Sequence, residues 1–227
     1  MVPKVIYLHG FASGSASSKA TFLGRRLREH GIELQTPDLN LPDFSTLTTT
    51  RMLAQTRSLL EASAEPQTLI GSSLGAFVAV NAAVQNPQRV DRLVLLAPAL
   101  DFGGNRMRKL GNVGLEQWKA SGRLPVFHYG YGRVVPVHYE LYEDARRYDA
   151  LNADVSMPIL IFQGRRDDAV DPATVEAWAS RRPNAELHLL DDDHQLTGSL
   201  PYVWEQLWPF LTSRSPGNRL ESDRARS

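Results

Sequence analysis

At 227 residues the chain is long enough to bury a full core in one domain without a disulfide or a structural metal. Its 25 Lys and Arg balance its 25 Asp and Glu, which excludes a global field favouring nucleic acid or an anionic membrane surface. The absence of cysteine excludes disulfides, zinc–thiolate sites and a cysteine nucleophile.

Residues 4–8, KVIYL, read as a buried strand that runs into a loop of small residues, HGFASGS at 9–15. The apolar run after Lys4 is shorter than a signal h-region or a membrane span, so a cytoplasmic protein is expected. Residues 17–30 set Ala20, Phe22, Leu23 and Leu27 among Arg and Lys with amphipathic spacing, and Gly31 stands where such a helix stops. A second strand over 32–36 is ended by Pro37. A loop containing Pro42 follows, and then a helix over 48–62 built on Met52, Leu53, Leu59 and Leu60.

Residues 68–81, TLIGSSLGAFVAVN, read as strand, sharp turn and helix. The centre is Gly71-Ser72-Ser73-Leu74-Gly75, a G-x-S-x-G pentapeptide whose glycines leave room for a serine at the apex of a tight turn. A random chain this long shows that pattern with a probability of about 0.1, so the pentapeptide needs partners elsewhere to carry weight. Apolar runs of strand length recur at 92–97, 157–163 and 185–190, with a helix over 172–181 between the last two. The last helix, 200–211, carries Tyr202, Trp204, Leu207, Trp208 and Phe210.

Runs apolar on both faces belong in a parallel sheet covered by helices on each side. The fold class expected is therefore α/β, with a doubly wound, mostly parallel sheet of about six strands. Residues 98–150 break the alternation and are expected to form a cap above the carboxyl edge of the sheet. The insertion's aromatics, Trp118, Phe127, Tyr129, Tyr131, Tyr139 and Tyr142, fit a pocket lining and a small core of the insertion itself equally well; a charged helix is expected over 140–148. One domain is expected over 1–212, with 213–227 polar, aperiodic and read as a disordered tail.

A serine hydroxyl becomes a nucleophile only with a histidine to take its proton and an acid to orient that histidine. Both candidates follow strands. The loop 164–172, GRRDDAVDP, offers Asp167, Asp168 and Asp171, of which Asp171 fits a helix cap; Asp101, after the strand at 92–97, is a further candidate acid. The loop 191–195, DDDHQ, offers His194, whereas His188 falls inside a strand, His30 at a helix end, and His128 and His138 in the insertion. His9 reads as a structural group holding its loop. Asp191, Asp192 and Asp193 read as a solvated loop rather than a metal cluster, because adjacent carboxylates point apart. Arg165 and Arg166 read as surface charges. Ser72, ending its strand, is expected to be buried.

The strand with HGF, the elbow GSSLGA, the GRRDDAV segment and DDHQL resemble, in order and spacing, the α/β-hydrolases, and most of all the small YqiA/YcfP-type bacterial esterases. The resemblance covers residues 5–211 and implies a shortened fold lacking the two strands that usually precede the HG strand. It implies Ser73 as nucleophile, Asp167 as acid and His194 as general base, with the backbone N–H groups of Phe11 and Leu74 as an oxyanion hole. The implied function is a serine esterase or thioesterase acting on a small-molecule ester or thioester through an acyl-enzyme, with no cofactor, no metal, and neither nucleic acid nor membrane as partner. The alternative is a non-catalytic ligand-binding or scaffold protein on the same fold.

Overall fold

The computed structural model describes residues 3–104 and 110–213; the tail expected over 213–227 lies, beyond its first residue, outside them. Successive strand residues point to opposite faces of a sheet, and here they divide between two apolar clusters. In β1 (Val5–Leu8), Ile6 and Leu8 enter one cluster, Val5 and Tyr7 the other. The same division recurs in β3 (Gln67–Ser72), β4 (Val90–Leu96) and β7 (Ile159–Gly164). That is why these runs are apolar without alternation.

With the edge strands β2 (Leu34–Gln35) and β8 (Ala185–Leu190), a six-stranded sheet forms in the order β2-β1-β3-β4-β7-β8, with every pairing parallel. Helices α1 (Ser18–Glu29) and α7 (Leu200–Thr212) cover one face through Leu23, Leu27, Val203 and Leu207. Helices α2 (Thr49–Glu61), α3 (Leu74–Gln85) and α6 (Pro172–Ser180) cover the other. The sheet is doubly wound, with six strands as expected. Only the edges differ: β2 is reduced to two residues, and β8 is half-buried because it has a neighbour on one side alone.

The chain leaves β1 toward β2 and then returns to place β3 on the other side of β1. The sheet's topological switch point thus lies between β1 and β3, where an open α/β sheet leaves a crevice at its carboxyl edge.

The insertion between β4 and β7 holds α4 (Gly111–Ser121), an antiparallel hairpin of β5 (Arg123–His128) and β6 (Arg133–His138), and the short helix α5 (Glu140–Ala145). One group of its aromatics forms a small core of the insertion itself, and another stands at the surface. Trp118, Tyr139 and Tyr142 pack together, with Trp118 Nε1 donating to Val137 O at 2.9 Å, whereas Phe127, Tyr129 and Tyr131 stand exposed. Asp144 ties the insertion to the body by accepting from Thr50 N at 2.7 Å, a carboxylate at the positive end of α2. The hairpin tip reaches the loop after β1, where Tyr129 N donates to Ala12 O at 2.9 Å.

Candidate active site

The turn from β3 into α3 displays Ser73 in a conformation few L-residues adopt, φ 53° and ψ −115°. The two glycines make the turn possible by close approach. A Cβ on Gly75 would stand 2.0 Å from Leu8 O, and one on Gly71 2.5 Å from Ala76 Cα. Ser73 N donates to Leu96 O at 2.9 Å, and Ser73 O accepts from Ala76 N at 3.0 Å and Ala99 N at 3.2 Å, so the strained residue is pinned from three directions. Ser72 ends β3 and is buried against Tyr7.

The loops after β7 and β8 meet at the same edge. Gly164 permits it: a Cβ there would lie 2.5 Å from Asp192 O and 2.6 Å from Asp193 O. His194 Nε2 stands 3.1 Å from Ser73 Oγ, and its Nδ1 stands 2.8 Å from Asp167 Oδ2. An ionised carboxylate can only accept, so Nδ1 carries the proton and Nε2 presents a lone pair to the serine hydroxyl. Of the four candidate acids it is Asp167 that pairs with the histidine. Asp168 is exposed, and Asp171 caps α6 by accepting from Ala173 N at 3.0 Å.

The Asp167 side chain is fully enclosed. Burial pushes its pKa upward, but the hydrogen bond and charge of His194, with further bonds from Val170 N and Gln163, outweigh burial and hold it below the ordinary carboxylate value. Oδ1 accepts from Ala169 N and Val170 N, both at 2.8 Å, while Gln163 Nε2 reaches Oδ2 at 2.9 Å.

The loop after β1 is shaped by His9. Leu39 N donates to His9 Nε2 at 3.0 Å, which leaves the proton on Nδ1 to donate to Gly10 O at 2.9 Å. Burial lowers the His9 pKa, against the opposing pull of Gly10 O and Asp38, consistent with a neutral ring. In a trans peptide the N–H of Phe11 then points away from the imidazole. Gly10 packs directly on the serine, 3.3 Å separating a Cβ built on it from Ser73 Cβ. Leu74 is the first residue of α3, where an N–H has no intrahelical acceptor. Neither the Phe11 nor the Leu74 N–H makes a hydrogen bond among the described residues. Beside them Phe11 packs 5.3 Å from Phe44 and 6.3 Å from Phe102, ring centre to ring centre.

Two residues of this region escape a reading of the sequence. Gln163 closes an otherwise apolar run, and a polar residue in the last turn of a buried strand is the one signal it leaves. Lys19 shares the face of α1 that carries Leu23 and Leu27, and it is buried there with its charge, Nζ standing 2.7 Å from Gln195 O and 3.3 Å from His194 O. The acidic run behaves as a loop scaffold: Asp192 accepts from Ser199 N at 2.9 Å, Asp193 from Gln195 N at 2.8 Å, and Asp191 pairs with Arg166 at the surface.

Residues 4–211 match the Uncharacterised protein family (UPF0227). The chain belongs to that family. This UPF0227 chain is also 26% identical over 137 residues to the mitochondrial palmitoyl-protein thioesterase ABHD10 of Bos taurus, a match over 58% of the chain and 45% of that protein, and so under half of the relative's length. Among solved structures, Est1E from Butyrivibrio proteoclasticus with ferulic acid bound aligns with a TM-score of 0.77 at 19% identity, over 92% of this chain and 88% of the other. Mouse alpha/beta hydrolase domain-containing protein 10 aligns with a TM-score of 0.75 at 20% identity, over 91% and 88%. The UPF0227 chain therefore has an α/β-hydrolase fold. Among its described residues no helix is long and apolar enough to cross a membrane.

Proposed function

We propose that the chain is a serine hydrolase that cleaves carboxylic esters or thioesters through an acyl-enzyme on Ser73. The observation that carries this reading is the continuous relay from Ser73 Oγ through His194, 3.1 Å on one side and 2.8 Å on the other, to an enclosed carboxylate.

In the forward step Ser73 Oγ attacks the acyl carbon while its proton passes to His194 Nε2. Asp167 stabilises the imidazolium so formed and keeps its own charge. In this reading the N–H groups of Phe11 and Leu74 receive the oxyanion: neither makes a hydrogen bond among the described residues, whereas the Ser73 N–H donates to Leu96 O. Collapse breaks the bond to the leaving group, which departs as an alcohol or a thiol after taking the proton from His194, so that Nε2 is free again. A water molecule then gives its proton to His194 and attacks the acyl carbon, and Ser73 Oγ leaves with that proton to restore the enzyme. Atoms and charge balance without a cofactor.

Phe11, partly exposed beside the proposed oxyanion hole and backed by the buried Phe44 and Phe102, supports an apolar acyl or alcohol group as the part recognised. A relative named as a palmitoyl-protein thioesterase supports the thioester arm. The insertion between β4 and β7 serves in this reading as the cap, within a single hydrolase domain.

The test is labelling with a fluorophosphonate probe, together with hydrolysis of p-nitrophenyl esters and acyl thioesters of graded chain length. An adduct at Ser73 and turnover lost in Ser73→Ala are expected. A folded wild type that neither labels nor turns over belongs instead to the ligand-binding alternative.

A further inference from the structure

Lys19 lies in the first turn of α1 and is only 7% exposed, a rare fate for lysine. A buried ammonium needs acceptors, and those of Lys19 are the main-chain carbonyls of Gln195 at 2.7 Å and His194 at 3.3 Å, on a loop more than 170 residues away. The charged groups around it come from two loops: Asp167 after β7, and Asp193 and Asp192 after β8. Tyr7 is buried against Ser17 at the cap of α1 and Ser72 at the end of β3. Immediately after the held residues, Leu196 sits at φ 54°, a left-handed conformation that a leucine keeps only when its surroundings hold it.

We infer that Lys19 is a positioning residue for His194, its ammonium anchoring the loop backbone so that the ring spans Ser73 and Asp167. This inference rests on the acyl-enzyme reading for its effect on turnover. Holding the carbonyls of His194 and Gln195 fixes the backbone from which the ring projects, and a displacement of about 1 Å in such a constellation lowers the rate by about 10²-fold. The charge matters because charge-assisted bonds are about twice as strong as neutral ones. Burial draws the Lys19 pKa down to about 8 despite the pull of Asp167, Asp193 and Asp192, so the anchor weakens as pH rises through that value.

The experiment compares wild type, Lys19→Arg and Lys19→Met from about pH 6 to about pH 10, reading kcat and KM for one ester and the ring resonances of His194 by NMR. In the wild type kcat falls about 5-fold above about pH 8 with KM unchanged, and the His194 resonances show a second step there. Lys19→Arg, charged throughout the range, keeps activity within about 3-fold at neutral pH and loses both features. Lys19→Met loses both features as well, with kcat about 10-fold lower at neutral pH. Persistence of the step and the fall in both variants overturns the inference, as does a wild-type His194 titration without the step. Should Lys19→Met fail to fold, Lys19→Arg alone decides. If Ser73 takes no fluorophosphonate the catalytic reading falls, while the NMR comparison still decides whether Lys19 holds His194.

Discussion

Gly75 presses against the carbonyl oxygen of Leu8 so closely that a Cβ would stand 2.0 Å from it. Two main chains meet there, and neither has a flexible side chain to withdraw. Gly75→Ala is therefore expected to destabilise the fold by about 3 kcal/mol or more, the upper end of overpacking, because the elbow must separate from β1. Urea unfolding measures it. A change under about 1 kcal/mol would contradict the contact.

Asp167 fixes which nitrogen of His194 carries the proton. Asp167→Asn presents an amide that can donate to Nδ1 and so favours the tautomer protonated on Nε2, which cannot accept from Ser73. The expected result is a fall in kcat of about 10⁴-fold with little change in KM and an unaltered circular dichroism spectrum. A fall under about 10-fold would exclude Asp167 as the orienting acid.

Gln163→Glu places a second carboxylate 2.9 Å from Asp167 Oδ2, in the place of a donor. Two enclosed carboxylates at that distance do not both ionise cheaply, so the pair retains a proton above the ordinary carboxylate range. A folded-state pKa raised above the unfolded value gives stability that is present below the unfolded pKa and lost as pH rises through the folded one. The urea midpoint of the variant, relative to wild type, is expected to be lower at pH 8 than at pH 5. A difference independent of pH would speak against the shared proton.

Lys19 yields a prediction of opposite slope. Its folded pKa of about 8 lies below the ordinary 10.5, so between those values the unfolded chain binds the extra proton, and from this group stability rises with pH. Wild type should therefore gain in Tm relative to Lys19→Met across that window, even as its turnover declines. If relative Tm falls there instead, burial is not what governs this lysine.

Much of the site is legible in the sequence, because each of its parts follows a strand that declares itself. Val5 to Leu8, Leu69 and Ile70, Leu93 to Leu96 and Ile159 to Phe162 are apolar without alternation since both faces are covered, and the parts with polar chemistry start where those runs stop. Lys19 is hidden for the complementary reason. Helical spacing puts it on the face of Leu23 and Leu27, but a lysine there reads as a side chain that reaches for solvent, and only the return of the chain at Gln195 supplies the acceptor that keeps it in. The hairpin is hidden by its prolines: Pro125 and Pro136 stand opposite each other in β5 and β6, and proline in a run argues against a strand except in an edge such as these two. Phe127 and Val134, also opposite, face outward and remove the polar alternation by which a half-buried hairpin is recognised.

The proposed base, His194, follows an edge strand. Among the described residues β8 is paired on one side only and is the last strand in sequence. The elbow that displays Ser73 is built from β1, β3 and β4, whereas the imidazole reaches it only through the docking of β8 against β7. On the proposed mechanism the serine is inert without that strand, so the fluorophosphonate that reports its reactivity also reports that the edge of the sheet is in place.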